Sequence, residues 1–195
     1  MHSSGNVIPF SFDLSTLVQR SVASLYSHLV TRPTGRALRL GIESQIGEIG
    51  SVCLSVLDFT QVVVLDYSCA DEAVAKLIQR YQLADRPADA YFVARGLGEQ
   101  HRDPIDEVLI RHDLALVAEV EGEFTLLGCA DELEHQAWHA LQRVRLGRPE
   151  DVAVELDATA AEVGTALDRL ASRRVVLRRG APDSFCALTT LLPER

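Results

Sequence analysis

Short apolar runs that alternate with stretches of helical spacing constrain this chain more than any other feature of its sequence. Residues 52–59, 62–65, 90–94 and 114–120 are strand-like. Between them Ala70, Ala73, Val74, Leu77 and Ile78, and later residues 104–112, follow the three- and four-residue steps of a helix. The connections are short, so the alternation predicts an α/β sheet layered with helices. Upstream, Leu14, Leu17, Val18, Val22, Leu25 and Leu29 recur at helical steps behind Asp13, a candidate N-cap. They predict an amphipathic helix over 13–30 that stops before the breaker run Arg32-Pro33-Thr34-Gly35. A short strand over 37–42 follows, and residues 114–120 turn at Glu121-Gly122-Glu123 into 124–127 as a hairpin.

After Gly128 the pattern becomes helical. Leu133, Ala137, Ala140, Leu141 and Val144 mark one amphipathic helix ended by Gly147, and Pro149 suits the first turn of a short second one. Thr159-Ala160-Ala161-Glu162 has the form of a capping box, in which Thr159 and Glu162 satisfy each other's free amides at the start of a third helix. Two strands around a basic turn at 178–183 close the chain. Three helices followed by a hairpin is the order of a winged helix-turn-helix. The expected organisation is therefore an α/β module over 1–128 and a winged helix-turn-helix over 129–195.

Charge divides at nearly the same place. The chain of 195 residues has a formal charge of −9, but residues 1–140 hold 10 basic and 20 acidic side chains while residues 141–195 hold nine arginines and eight acids. Lys76 is the one lysine. The 47% hydrophobic content excludes a disordered chain. No run approaches the roughly 18 apolar residues of a membrane helix, and the N-terminus lacks the order of a secretory signal, so a cytoplasmic protein without membrane contact is expected. Cys53, Cys69, Cys129 and Cys186 are scattered without a Cys-x-x-Cys pair, which argues against a disulfide framework or zinc ribbon.

Leu57-Asp58-Phe59-Thr60, the apolar run to Leu65 and the helix-opening Asp66-Tyr67-Ser68 resemble the central strand and turn of STAS domains, named for sulfate transporters and anti-sigma factor antagonists. Ala70-Asp71-Glu72 is similar to the helix opening of a STAS-like family of unknown function. The resemblance implies an interaction module that receives a protein partner or small ligand around Asp66, Tyr67, Ser68 and Asp71. Where phosphorylatable STAS domains place a serine after the turn aspartate, this chain has Tyr67, with Ser68 next and Cys69 in place of glycine. The C-terminal region resembles winged helix domains of bacterial transcription regulators. On that template Thr159, Ala160 and Thr165, with Ala161 and Glu162, face bases, while Arg173, Arg174, Arg178 and Arg179 meet phosphates. The leading face offers small residues and a glutamate rather than the Arg, Lys, Asn or Gln of ordinary base readout, so duplex DNA and a protein both stand as its target.

Catalysis has little support. There is no Gly-x-Gly-x-x-Gly after a strand, no phosphate loop and no Gly-x-Ser-x-Gly elbow. His135 and His139 have the spacing of a His-Glu-x-x-His zinc motif, but Gln136 stands where the base would be. The reading is a non-enzymatic regulatory protein with no catalytic residue, cofactor or metal. It has a protein partner, with duplex DNA or a second copy of the chain as further partners. A protein-binding adaptor whose winged helix ignores DNA is the first alternative, and a small-molecule or metal-using enzyme in the α/β module the second.

Overall fold

The strand-like runs assemble into one sheet. The computed structural model describes residues 18–50, 52–180 and 183–193. Its N-terminal part runs β1 (Gln19–Ser24), β2 (His28–Leu29), α1 (Arg32–Ile49), β3 (Cys53–Asp58), β4 (Val64–Leu65), α2 (Tyr67–Ala70), a π-helical segment (Asp71–Ala75), α3 (Lys76–Gln82), β5 (Ala90–Leu97), α4 (Glu99–Arg111), β6 (Ala115–Val120) and β7 (Glu123–Gly128). The sheet order is β1-β3-β5-β6-β7, parallel except for the β6–β7 hairpin. Strands β2 and β4 form a separate two-stranded parallel ribbon. Each crossover steps to the next strand in the same direction, and right-handed crossovers then bring α1, α2–α3 and α4 to one face.

The remaining elements are α5 (Glu132–Val144), β8 (Leu146–Gly147), α6 (Pro149–Ala153), α7 (Ala160–Ser172), β9 (Val176–Arg179), β10 (Ser184–Ala187) and a 3-10 turn (Leu188–Leu191). Strands β8, β10 and β9 make a small antiparallel sheet in that order. These elements lie on the opposite face of the large sheet. Along β5, Ala90, Phe92 and Ala94 enter the core under α1–α4, whereas Tyr91 and Val93 enter the core that holds Trp138, Leu141, Val163, Leu167 and Phe185. Strand β6 divides in the same way, with Leu116 and Ala118 on one side and Ala115 and Val117 on the other. Period-two geometry and burial on both faces together demand the unbroken apolar runs of the sequence. The C-terminal helices thus share a core with the sheet.

Two expectations fail near the N-terminus. The helix over 13–30 is not formed: residues 19–24 are β1 and 28–29 are β2, while 13–17 lie outside the described residues. Parallel pairing of β1 with β3 outweighs the local helical spacing, and Val22, a member of that spacing, ends up 51% exposed. The strand over 37–42 is instead the middle of α1, which opens at Arg32-Pro33. Proline is tolerated in a first turn because its missing N–H has no partner there. Gly35 marks close packing rather than a break, since a Cβ on it would stand 2.7 Å from the Cys69 carbonyl oxygen.

Elsewhere local chemistry holds. Helix α4 starts at Glu99, earlier than the sequence pattern indicates, with Pro104 inside it. Glu121 and Gly122, at φ 49° and 88°, form the two-residue turn between β6 and β7 that suits a twisted hairpin. The capping box is made: the Glu162 N–H donates to Thr159 Oγ1 at 3.3 Å and the Thr159 N–H to Glu162 Oε2 at 2.9 Å. All four cysteines are free thiols, three of them buried, and no described helix is long and apolar enough to cross a membrane.

Because Trp138, the one tryptophan, is buried among residues from both halves, its fluorescence reports their common core. Thermal unfolding followed by that fluorescence and by far-ultraviolet circular dichroism is expected to give coincident transitions. Two separated transitions would show that the halves unfold independently.

Candidate functional site

The turn after β4 holds Asp66, Tyr67 and Ser68, three of the four residues singled out there in the sequence. Asp66 is the N-cap of α2: its Oδ1 accepts from the Cys69 N–H at 2.7 Å, and its Oδ2 accepts from the Thr31 N–H at 2.8 Å. One carboxylate therefore holds the helix start and the end of the β2 segment together. Tyr67 is exposed and Ser68 half-buried. Cys69 is buried, and burial, with the charge of Asp66, pushes its thiol up to about 11. This thiol stays protonated at neutral pH.

The helix then widens. Over Asp71–Ala75 it is π-helical, a form that tends to occur at functional positions. This segment packs against α1 and α4, and it turns Asp71 and Glu72 inward, 7% and 4% exposed. Arg32 reaches both carboxylates, Asp71 at 2.8 Å and Glu72 at 2.9 Å. Lys76 pairs with Glu72 at 2.5 Å, Arg39 approaches it at 3.6 Å, and His112 Nε2 lies 2.7 Å from Asp71 Oδ1. Burial by itself would raise both carboxyls. For Asp71 the hydrogen bonds from Arg32 and His112, and for Glu72 those from Lys76 and Arg32, outweigh it and hold both below the usual carboxylate range. Asp71 is thus part of an internal ion cluster rather than of the exposed turn. The sequence reading missed Glu72, Arg32, Arg39, Lys76 and His112. The available signal was two adjacent acids inside an otherwise apolar helical pattern.

An exposed apolar group flanks the turn. Tyr26 and Val63 are 68% and 61% exposed, and Val30, Val64 and Tyr67 also face solvent. All five belong to the β2–β4 ribbon or lie within two residues of its strands, joined by His28–Val64 and Leu29–Leu65 pairing. Such grouping is uncommon for scattered surface residues.

The C-terminal candidates are placed differently. Thr159 caps α7, Ala160 is its first residue, and Thr165 sits on its outer side with its hydroxyl donating to the Ala161 carbonyl at 3.0 Å. The same outer side carries Glu162 and Asp168. Arg173 pairs with Glu134 at 3.1 Å and Asp113 at 3.0 Å. Arg174, at φ 59°, donates from Nε to the Ala90 carbonyl at 2.8 Å, pairs with Asp89 and stacks 4.0 Å from the Tyr91 ring centre. Arg178 is held by Asp168 at 3.0 Å and Asp183 at 2.9 Å. Arg179 is half-buried on β9, opposite Ser184. Three of the four candidate phosphate-binding arginines are thus already paired with carboxylates of the chain. Glu162, drawn below its usual pKa by the Thr159 hydroxyl and N–H, is committed to the cap.

His139 packs edge-on to Trp138 at 5.0 Å between ring centres, and burial, with neighbouring His135 and Arg143, lowers its pKa. Among the described residues no group of three or more His, Cys, Asp or Glu converges as metal ligands would. No protein family matches the sequence, and no curated protein or solved structure matches the chain.

The ion cluster gives a pH prediction. Asp71 and Glu72 titrate lower in the folded chain than in the unfolded one, where carboxyls lie near about 4. Their contribution is fully present above the unfolded values and is lost as pH falls through the lower folded values. Urea unfolding across acid pH is expected to show a flatter acid limb in Asp71→Asn/Glu72→Gln than in the parent. At neutral pH the double variant should be less stable by about 2 kcal/mol, because buried partners lose their charge-assisted hydrogen bonds. An unchanged acid limb would contradict this account.

Proposed function

We propose that the chain is a non-enzymatic regulatory adaptor: a STAS-like module that docks a protein partner at the β2–β4 ribbon and α2 start, joined to a winged helix that also contacts protein rather than duplex DNA. The observation that carries this reading is the exposed apolar group of Tyr26, Val30, Val63, Val64 and Tyr67 beside the rigid Asp66 cap. Aromatic and branched side chains on a fixed scaffold suit the buried centre of a protein interface. Support for the winged helix comes from the order α5-β8-α6-α7-β9-β10, with β10 between β8 and β9.

The preference for protein over DNA rests on charge. Duplex affinity grows with the number of phosphates that cations neutralise. Here Arg173, Arg174 and Arg178 already meet carboxylates, and the outer side of α7 presents Glu162 and Asp168 to an approaching polyanion. The acidic balance of residues 1–140 adds repulsion.

Affinity capture from the source cells with the full chain should retain a specific protein. That protein should be lost with Val63→Asp and weakened about tenfold or more by Tyr67→Ala, both variants keeping the parental circular dichroism. Self-association in sedimentation that the same substitutions abolish would identify the partner as a second copy. Fluorescence anisotropy with mixed-sequence duplex is expected to show no binding at physiological salt. Tight, salt-sensitive duplex binding that Arg178→Glu weakens would overturn the preference for protein.

A further inference from the structure

The face of the large sheet that meets the C-terminal elements is apolar along most of its length and then changes character. On that face Val56 is followed by Asp58 on β3, Val93 by Arg95 on β5 and Val117 by Glu119 on β6, two residues further along each strand. Phe124 pairs with Glu119 across the hairpin. Open α/β sheets bind ligands beyond the carboxyl ends of their strands, which is where this change occurs. A cavity of about 300 Å³ lies there, lined by Arg95, Glu119 and Phe124 from the sheet and by Arg145, Leu192 and Pro193 from the C-terminal region.

Two of its charges are engaged. Arg95 is paired with Asp58 at 2.7 Å, and Glu119, 2% exposed, accepts from the Gly96 N–H at 3.3 Å. Arg145 differs: its side chain has no hydrogen bond or ion pair among the described residues. Its backbone is held at φ 68° and ψ −49°, near the γ-turn conformation that is strained for any side-chain-bearing residue. The chain keeps an exposed arginine where glycine would sit without strain, and that arginine lines a cavity with an apolar wall.

We propose that this cavity binds a small organic monocarboxylate with an apolar, ring-sized body, its carboxylate on Arg145 and its body against Phe124, Leu192 and Pro193. A guanidinium offers a carboxylate two parallel hydrogen bonds, and the aromatic and proline surfaces give the body a dry contact. The apolar wall distinguishes such a ligand from acetate and inorganic phosphate, which have no body to place against Phe124 and Leu192. The site joins the two halves of the molecule and stands independently of the docking surface at the β2–β4 ribbon.

Phenylacetate, titrated into the uniformly 15N-labelled full chain, tests the proposal. Saturable amide shifts are expected at Gly122, Phe124 and Arg145, with acetate, inorganic phosphate and 2-phenylethanol each binding about tenfold or more weakly. Arg145→Gln and Arg145→Gly should both weaken phenylacetate about tenfold or more, the loss of one charge-assisted pair. Arg145→Gly should at the same time keep or raise the melting temperature, because glycine relieves the backbone strain, and this separates a lost contact from a damaged fold. No saturation up to about 10 mM would overturn the proposal. So would binding that both substitutions leave unchanged, or phosphate, acetate or 2-phenylethanol binding as tightly as phenylacetate.

Discussion

Burial of both faces of one sheet governs the rest of this structure. A strand sends alternate side chains to opposite sides, so β3, β5 and β6 each serve two cores at once. Leu57, Phe92 and Leu116 pack under the crossover helices, while Leu54, Val93 and Val117 pack under Trp138 and the helices around it. Neither layer could be removed without returning a row of apolar side chains to water, at about 25 cal/mol per Å². The C-terminal helices consequently close the fold as well as carrying their own small sheet.

Charge then finishes what apolar burial begins. Arg173 reaches Glu134 and Asp113, and Arg174 reaches Asp89, Ala90 and Tyr91, so the end of α7 is fastened to the N-terminal side of the sheet. On the other face, Arg32, Arg39, Lys76 and His112 surround Asp71 and Glu72 in the π-helical segment. Exposed ion pairs contribute little, but pairs with a buried member are costly to break because one charge is left without water or partner. Arg173 and Arg174, which read as phosphate contacts in the sequence, have carboxylate partners within the chain.

The fold was legible wherever local patterning and tertiary environment agree. Helices α5 and α7, the β6–β7 hairpin and the Thr159–Glu162 box all rest on interactions between residues close in sequence, and such interactions leave local signatures. Strand β1 and helix α1 were misread because their states depend on distant partners: β1 on pairing with β3, and α1 on Gly35 lying against Cys69. Asp66 was legible as part of a helix opening because capping is local. The inward rotation of Asp71 was not, since it follows from a π-helical turn packed against α1 and α4. Arg145 was hidden for the opposite reason: its backbone angles are unfavourable for its own residue type, and no propensity points to them.

Arg174 has a consequence beyond fastening. Held at φ 59° with its guanidinium against Asp89, Ala90 and Tyr91, it braces the link from α7 to β9 against the sheet just where a two-part switch would need a hinge. Bracing of this kind opposes swinging of one half against the other. A ligand that binds the folded form at either end stabilises the shared core, and with it the other end.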